Sequence, residues 1–305
     1  MAELPVTSPP VAPTLGLGIP FWSDLGLLSE ALASLVRQTD REWVAVVIDD
    51  ASPEAGAAAV VAELADPRIT YERNDVNLGL ARNFNRCLAA PGTDVVAILH
   101  ADDLLEPGYV ATIRRVHADV PDAAIAAPMA TAIDALGGPI DTMVDRAKRW
   151  MWPKQQRHVL RGDAALARIM HAFFVYTPAL SYRPALLPDG WFDDRWRQVM
   201  DVDLIARVLF EGGSIALDRT PVYRYRRHAG TVTSQNAQAF TRLAEESEMA
   251  RIIADRARAL GWTRTARAAR GRWTIRLNGA VAMASSLGRD SPGRRAALRE
   301  LLSLR

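Results

Sequence analysis

Short apolar runs and helix-spaced apolar residues alternate along the first part of this 305-residue chain. Leu15 to Ile19 is an apolar run closed by Pro20, the pattern of a buried strand. Leu27, Leu28, Leu32, Leu35 and Val36 then recur at helical spacing within Leu25 to Gln38. Trp43 to Ile48 is a valine-rich second strand. Glu54 to Leu64 reads as a helix with a proline just before it. Ile69 to Glu72 is a weaker third strand. Gly79 to Ala89 is a helix with Leu80, Phe84, Cys87 and Leu88 on one side. Asp94 to Leu99 is a fourth strand and Gly108 to Ala118 a further helix. This alternation predicts an α/β protein whose parallel sheet is covered on both faces. In such sheets ligands sit beyond the carboxyl ends of the strands.

After Ala124 the pattern changes. Ala124 to Thr131 predicts a strand. Asp134 to Arg161 holds Gly137-Gly138-Pro139 and Trp150-Met151-Trp152-Pro153 and reads as an irregular, partly mobile segment over the site. Asp163 is expected to cap a short helix, Ala164 to Met170. Ala179 to Tyr182 predicts a strand, and Val202 to Phe210 a helix ending at Gly212-Gly213. Ser214 to Leu217 and Val222 to Arg226 predict two more strands. From about Ala237 the chain reads as helical and arginine-rich, with a break near Ser291-Pro292-Gly293. The expected organisation is a loose tail over 1–13, an α/β domain over 14–235 divided into halves 14–123 and 124–235, and an arginine-rich helical extension over 236–305.

Composition narrows the classes. A hydrophobic fraction of 49% and a charged fraction of 24% fit an ordinary soluble domain. A net charge of +2 argues against an electrostatic nucleic-acid binder. Arginine exceeds acid from Arg251 onward, which suits an anionic membrane, a protein partner or a phosphorylated acceptor, or simply a solvated helix face. The single cysteine, Cys87, rules out an intrachain disulfide and a cysteine metal cluster, and fits a reducing cytoplasm. No run approaches the roughly 20 apolar residues of a spanning helix, and the first residues lack the pattern of a signal peptide. The expected location is cytoplasmic, with peripheral contact at the inner face of the membrane as its extension.

Polar clusters fall at three predicted strand ends: Pro20-Phe21-Trp22-Ser23, Asp49-Asp50-Ala51-Ser52 and His100-Ala101-Asp102-Asp103. Adjacent carboxylates at the mouth of a buried strand are costly unless a positive group faces them. A divalent cation with oxygen ligands is one answer; caps for the helices that follow are another. Asp49 and Asp50 suit nucleobase or ribose contacts, or an Asp/Ser turn. Arg82, one turn into the helix after Gly79, suits a nucleotide or a solvated helix face.

In this order, Ile19-Pro20, Asp49-Asp50-Ala51-Ser52, Asn77-Leu78-Gly79 with Ala81-Arg82-Asn83, and His100-Ala101-Asp102-Asp103 resemble the nucleotide-sugar half of the family 2 glycosyltransferases. Gly190-Trp191-Phe192-Asp193-Asp194 and Met200-Asp201-Val202-Asp203-Leu204 resemble that family's acceptor segment. Tyr223-Arg224-Tyr225-Arg226-Arg227-His228-Ala229-Gly230 resembles its strand and loop over the diphosphate. The resemblance spans Leu15 to Ser234. It implies the GT-A fold, a Rossmann-like, mostly parallel sheet flanked by helices. It also implies inverting transfer from a nucleoside-diphosphate sugar to a saccharide, lipid-linked or small-molecule acceptor. Asp102, Asp103 and His228 would hold Mg²⁺ or Mn²⁺. Pro20, Phe21, Asp49, Asp50, Arg82, His100, Asp102, Asp103, Arg227 and His228 would contact the donor, Asp103 either through the ion or by orienting the donor sugar or ribose. Asp201 would be the general base. Arg224, Arg226 and Arg227 read either as phosphate contacts or as a basic strand edge. Trp150, Trp152, Tyr176 and Trp191 would line the acceptor pocket, while Phe173 and Phe174 read as core.

Three departures from the family pattern stand out. His100 replaces the usual aspartate, Met200 precedes Asp201 where glutamate is frequent, and Trp22-Ser23 replaces the usual asparagine. They keep open a nucleotide-sugar-binding protein impaired in catalysis. A nucleotidyltransferase is a second alternative, although the chain lacks a glycine-rich phosphate loop with a basic residue after strand one, and a structural or interaction module using the arginine-rich tail is a third.

Overall fold

The computed structural model describes residues 12–227 and 236–271. Four parallel strands form the first part of the sheet: β1 (Leu15–Phe21), β2 (Trp43–Asp49), β3 (Ile69–Arg73) and β4 (Val95–Ile98). Helices α1 (Leu25–Val36), α2 (Ala57–Glu63) and α3 (Leu80–Ala89) connect them. The short β5 (Leu104–Leu105), α4 (Tyr109–Asp119), β6 (Ala123–Ile133) and β7 (Pro139–Ile140) follow. Next come α5 (Met143–Met151), β8 (Arg157–Arg161), α6 (Gly162–His171), β9 (Ser181–Tyr182), α7 (Met200–Phe210) and β10 (Ser214–Arg226). Helices α8 (Asn236–Ala259) and α9 (Thr263–Gly271) end the described chain.

The strand order is β3-β2-β1-β4-β9-β6-β10-β5, with β7 on β6 and β8 on β10. β6 and β10 run parallel, and β9 pairs antiparallel with both β4 and β6. This is the mostly parallel, helix-flanked sheet of the GT-A class.

Alternation along the strands sorts the core into two layers. Leu15, Leu17, Ile19 and Phe21 of β1 pack with Trp43, Ala45 and Val47 of β2 and with α1 and α4. Val46, Ile48, Val96 and Ile98 face the other way, onto Phe84, Cys87 and Leu88 of α3. On that face β1 carries Gly16 and Gly18 before Pro20. A Cβ on Gly18 would lie 2.3 Å from the Cys87 carbonyl oxygen and 2.4 Å from the Cys87 Cβ. The missing side chain is what lets α3 lie directly on the strand.

Several expectations are corrected. Pro20 does not close β1, which continues to Phe21. Gly18 faces β4, as its carbonyl accepts from the Leu99 N–H, so Pro20 faces the same side two residues later. The pairing of β1 with β4 has ended at Gly18, and no ladder partner is lost there. Residues 134–161 are not irregular. They form a β6–β7 hairpin, then α5, whose Thr142 and Asp145 make a reciprocal capping box, then β8 along β10. Asp163 caps a different helix. Its carboxylate accepts from the N–H groups of Arg264 (3.1 Å) and Thr265 (2.7 Å), securing α9 against α6. The two strands expected over 214–226 are one strand of 13 residues, bent by register shifts on either side of Pro221. Residues 1–11 and the break near Ser291-Pro292-Gly293 lie outside the described residues.

The α3–β1 contact can be tested directly. Gly18→Ala should lower stability by about 1–3 kcal/mol, because backbone rather than a flexible side chain blocks the new methyl. Urea denaturation checks this.

Candidate active site

The carboxyl ends of β1, β2 and β4 lie side by side, and each runs into a polar loop. At the end of β2 both acids are buried. Asp49 accepts from the Ser52 N–H (2.7 Å), the Tyr71 hydroxyl (2.6 Å) and Arg73 Nη1 (2.5 Å). Asp50 accepts from Asn74 Nδ2 (2.6 Å) and from the N–H groups of Leu78 (2.8 Å) and Gly79 (3.0 Å). Asp50 therefore shapes the Asn77–Gly79 loop that starts α3. Gly79 turns that corner at φ 80°, a conformation that favours glycine.

The acidic turn follows β4. His100, Asp102 and Asp103 each offer a ligand atom, and these atoms lie within 4.8 Å of one another. One imidazole nitrogen and two carboxylates are a donor set that fits a divalent cation of the Mg²⁺/Mn²⁺ kind. Burial lowers the His100 pKa and so favours the neutral imidazole, the form that binds metal. Asp102 is half-buried. Asp103 is fully buried, with one oxygen on the Tyr223 hydroxyl (2.8 Å) and the other on the Arg226 N–H (2.7 Å). Burial, then the neighbouring Asp102 charge, raise the Asp103 pKa well above the usual carboxylate range.

Arg226 clamps this turn from β10. Its Nε donates to the Asp102 carbonyl (2.7 Å), Nη1 to the Ala135 carbonyl (2.9 Å) and Nη2 to Glu30 (2.6 Å). At 1% exposure it is neither a strand-edge charge nor a free phosphate contact.

Asp201 sits in the first turn of α7, where its carboxylate accepts from the Val202 N–H (2.8 Å) and from the Thr177 side chain. Burial raises its pKa above the usual 3.8. Its charge in turn acts on His100, Tyr182 and Lys148. An aromatic seam connects the same groups. The Phe84 ring lies 5.3 Å from His100 and 5.6 Å from Phe192, and Phe192 lies 5.8 Å from Tyr182. The Asn85 side-chain amide brackets the Phe192 backbone, donating to its carbonyl (2.8 Å) and accepting from its N–H (2.9 Å). Asp201 thus lies near enough for its charge to act on His100 of the acidic turn, although a hundred residues separate them.

Other expected site residues are placed differently. The Phe21 side chain is core, and only its carbonyl faces the loop, accepting from the Asp50 N–H (2.9 Å). Pro20 is half-buried beside it. Arg82 pairs with Asp194 across the two halves (2.5 Å), both side chains being exposed. Arg227 is turned to α5, bonding Asp145 (2.6 Å) and Thr142 Oγ1 (3.1 Å). His228 lies outside the described residues. Trp152 is buried against Phe174 at 5.6 Å and has no open face for an acceptor, whereas Trp150 on α5 is exposed. Tyr176 is buried, with its hydroxyl on Asp145. Trp191 is half-buried and packs on the core.

Lys148 of α5 was not foreseen. Its Nζ lies 4.0 Å above the Tyr176 ring and 3.4 Å from the Val175 carbonyl. Burial, reinforced by the Arg227 charge, lowers its pKa to about 8. The Thr142-x-x-Asp145 capping signature was the available signal that an ordered helix would carry this side chain.

The sequence profile described as Glycosyl transferase family 2 matches residues 17–175, just over half of the chain. An uncharacterized protein of Mycobacterium tuberculosis is 33% identical over 35% of this chain and 33% of its own length. The putative colanic acid biosynthesis glycosyl transferase WcaA of Escherichia coli is 29% identical over 31% of this chain and 34% of its own. The succinoglycan biosynthesis protein ExoO of Rhizobium meliloti is 27% identical over 67% of this chain and 58% of its own. The chain thus spans less than two thirds of each of these relatives. Among solved structures, residues 1–349 of S. aureus TarS superpose with a TM-score of 0.57 at 15% identity, over 95% of this chain and 71% of that one. The complex of the same TarS segment with UDP-GlcNAc gives 0.56 at 14% identity, over 95% and 89%. At these identities the likeness establishes the fold.

Asp103→Ala should cost about 2–4 kcal/mol, because it strands the Arg226 N–H and the Tyr223 hydroxyl in the interior. Asp103→Asn keeps an acceptor for Arg226 and should cost less. The sign of the pH effect follows from the raised pKa. The folded state holds the Asp103 proton more tightly, so this contribution favours folding at low pH and is lost as pH rises through the folded value. Asp103→Asn should remove that slope from chemical denaturation measured across pH.

Proposed function

Because the chain belongs to glycosyl transferase family 2, we propose that it transfers a sugar from a nucleoside-diphosphate sugar to an acceptor hydroxyl by a single inverting displacement. The observation that supports this reading is the nearness of Asp201 to the His100–Asp102–Asp103 turn, where its charge acts on His100. A base near a cation-binding cluster suits attack at one end of a bond and departure of diphosphate at the other.

Asp201 takes the proton of the acceptor hydroxyl. Its raised pKa makes it a stronger base than a solvated aspartate. Asp102 and His100 would hold Mg²⁺ or Mn²⁺, with Asp103 as the third donor. The ion, when bound, neutralises charge that develops on the departing diphosphate. The loops after β1 and β2, through Pro20, the Phe21 backbone, Asp49 and Asp50, frame the nucleoside. The Arg82–Asp194 pair stands at the rim. His228, following Arg227, is assigned to the diphosphate on the family resemblance.

The TarS complexes with UDP-GlcNAc and UDP favour a uridine nucleotide as the first donor to test. The names of the colanic acid and succinoglycan relatives favour a polysaccharide acceptor over a lipid-linked or small one. Trp150 and the half-buried Trp191 remain the acceptor-side aromatics of this reading, whereas Tyr176 is buried with its hydroxyl on Asp145. The catalytic unit is assigned to 14–235, with 236–305 as its helical extension. No described helix is long and apolar enough to cross a membrane. A cytoplasmic enzyme in peripheral contact with the membrane through its basic surface fits the charge distribution.

Asp201→Asn should lower kcat by about 10²–10⁴-fold while donor binding persists. Binding is read from the rise in melting temperature with UDP and Mn²⁺. Unchanged transfer in this variant would remove Asp201 as the base. Binding without measurable transfer in the unmodified protein would instead support a binding protein. The acidic limb of kcat/KM should lie above pH 3.8, in the direction of the shifted carboxyl. Asp102→Asn should abolish the Mn²⁺-dependent part of the melting shift.

A further inference from the structure

The three most exposed large apolar side chains among the described residues are Leu136 (95%), Trp150 (87%) and Met143 (85%). All three fall within one short stretch of sequence. Leu136 sits on the turn between β6 and β7, just before α5. Met143 and Trp150, seven residues apart, share one face of α5 with Ala147, which is also exposed. The opposite face is anchored: Asp145 by Arg227 and Tyr176, Lys148 over the Tyr176 ring. Helix α5 is therefore held from inside and presents an uncovered apolar stripe outside.

Beside Trp150 lies a groove of about 600 Å³ between α5, α6 and α9. Ala164, Ala167 and Phe174 contribute its apolar lining, and Arg168, Arg264 and Arg267 its cations. Among the described residues the Arg168 guanidinium donates to the Met151 carbonyl and lies over the Phe174 ring, and Arg267 has no carboxylate partner. Asp163, which senses the Arg264 charge, is already engaged by the backbone of α9. On α5, Arg146 and Arg149 share the single carboxylate of Asp141.

We propose that the outer face of α5, with the arginine-lined groove beside it, docks on the surface of a bilayer containing anionic phospholipid. Protruding Leu, Met and Trp next to unneutralised arginine is the chemistry of interfacial binding: apolar tips enter the headgroup region and cations meet lipid phosphate. A symmetric second copy would bring arginine rim against arginine rim, which disfavours that occupant. A saccharide would stack on Trp150 but would leave Met143 and Leu136 without a role. This inference rests on the peripheral location proposed above and assigns it a surface that shares only Trp150 with the residues given to sugar transfer.

The test is flotation of the full chain with vesicles of phosphatidylcholine alone and of phosphatidylcholine mixed with phosphatidylglycerol. The protein should float with the anionic vesicles and not with the neutral ones. Leu136→Ser/Met143→Ser and Arg264→Glu/Arg267→Glu should each weaken binding about tenfold or more. These positions are on the surface, and unchanged melting temperatures would show that the variants fold. Donor hydrolysis without acceptor or lipid should be unaffected in both pairs. Failure of the unmodified protein to float, or flotation indifferent to both pairs, overturns the proposal. A dimer in gel filtration that Leu136→Ser/Met143→Ser dissolves overturns it in favour of a second copy. Flotation without sugar transfer would refute only the enzymatic reading, and transfer without flotation only the docking surface.

Discussion

A buried arginine fixes the shape of the acidic turn. Arg226 lies on the last turn of β10's path through the sheet, yet its guanidinium reaches the Asp102 carbonyl, the Ala135 carbonyl and Glu30, while its N–H holds Asp103. A buried cation must find partners, and the fork of a guanidinium can satisfy several at once. Here two backbone carbonyls supply much of what water would have given. With Asp103 held by Arg226 and Tyr223, the half-buried Asp102 is left as the more accessible acid of the pair.

The same arrangement explains how the two halves of the chain meet. The acidic turn and α7 come from different parts of the chain. They are brought together because β9 inserts between β4 and β6, and because Phe84, Phe192 and Tyr182 pack edge to face along the junction. Asn85 adds two directional bonds to the Phe192 backbone, which fixes register where apolar packing alone would allow sliding. The electrostatic contact between Asp201 and His100 is a product of that junction.

Local sequence revealed those features whose cause is local. The β1–β4 strands were legible because residues such as Val46 and Ile48 must be apolar wherever a strand is covered on both faces. The acidic pairs were legible as strand-end loops. What their carboxylates touch was not, since Asp50 finds Leu78 and Gly79, and Asp103 finds Tyr223 and Arg226, far along the chain. Periodicity also cannot separate Trp150 from Trp152. They stand two residues apart, and the helix end turns one to solvent and the other onto Phe174. Asp163 misled for a similar reason: it has the composition of a cap, but the helix it caps lies a hundred residues away. The capping box at Thr142 and Asp145 was written locally, and the glycines, prolines and tryptophans around it obscured the period of α5.

The glycine face of β1 has one more consequence. Cys87, the sole cysteine, is sealed between α3 and Gly18, and burial pushes its thiol far toward the protonated form. A thiolate is the species that alkylating reagents attack, so the native molecule is chemically silent to them. Cysteines placed at will on the surface therefore accept fluorophores or spin labels without competition, and any slow reaction at Cys87 itself times the parting of helix from sheet.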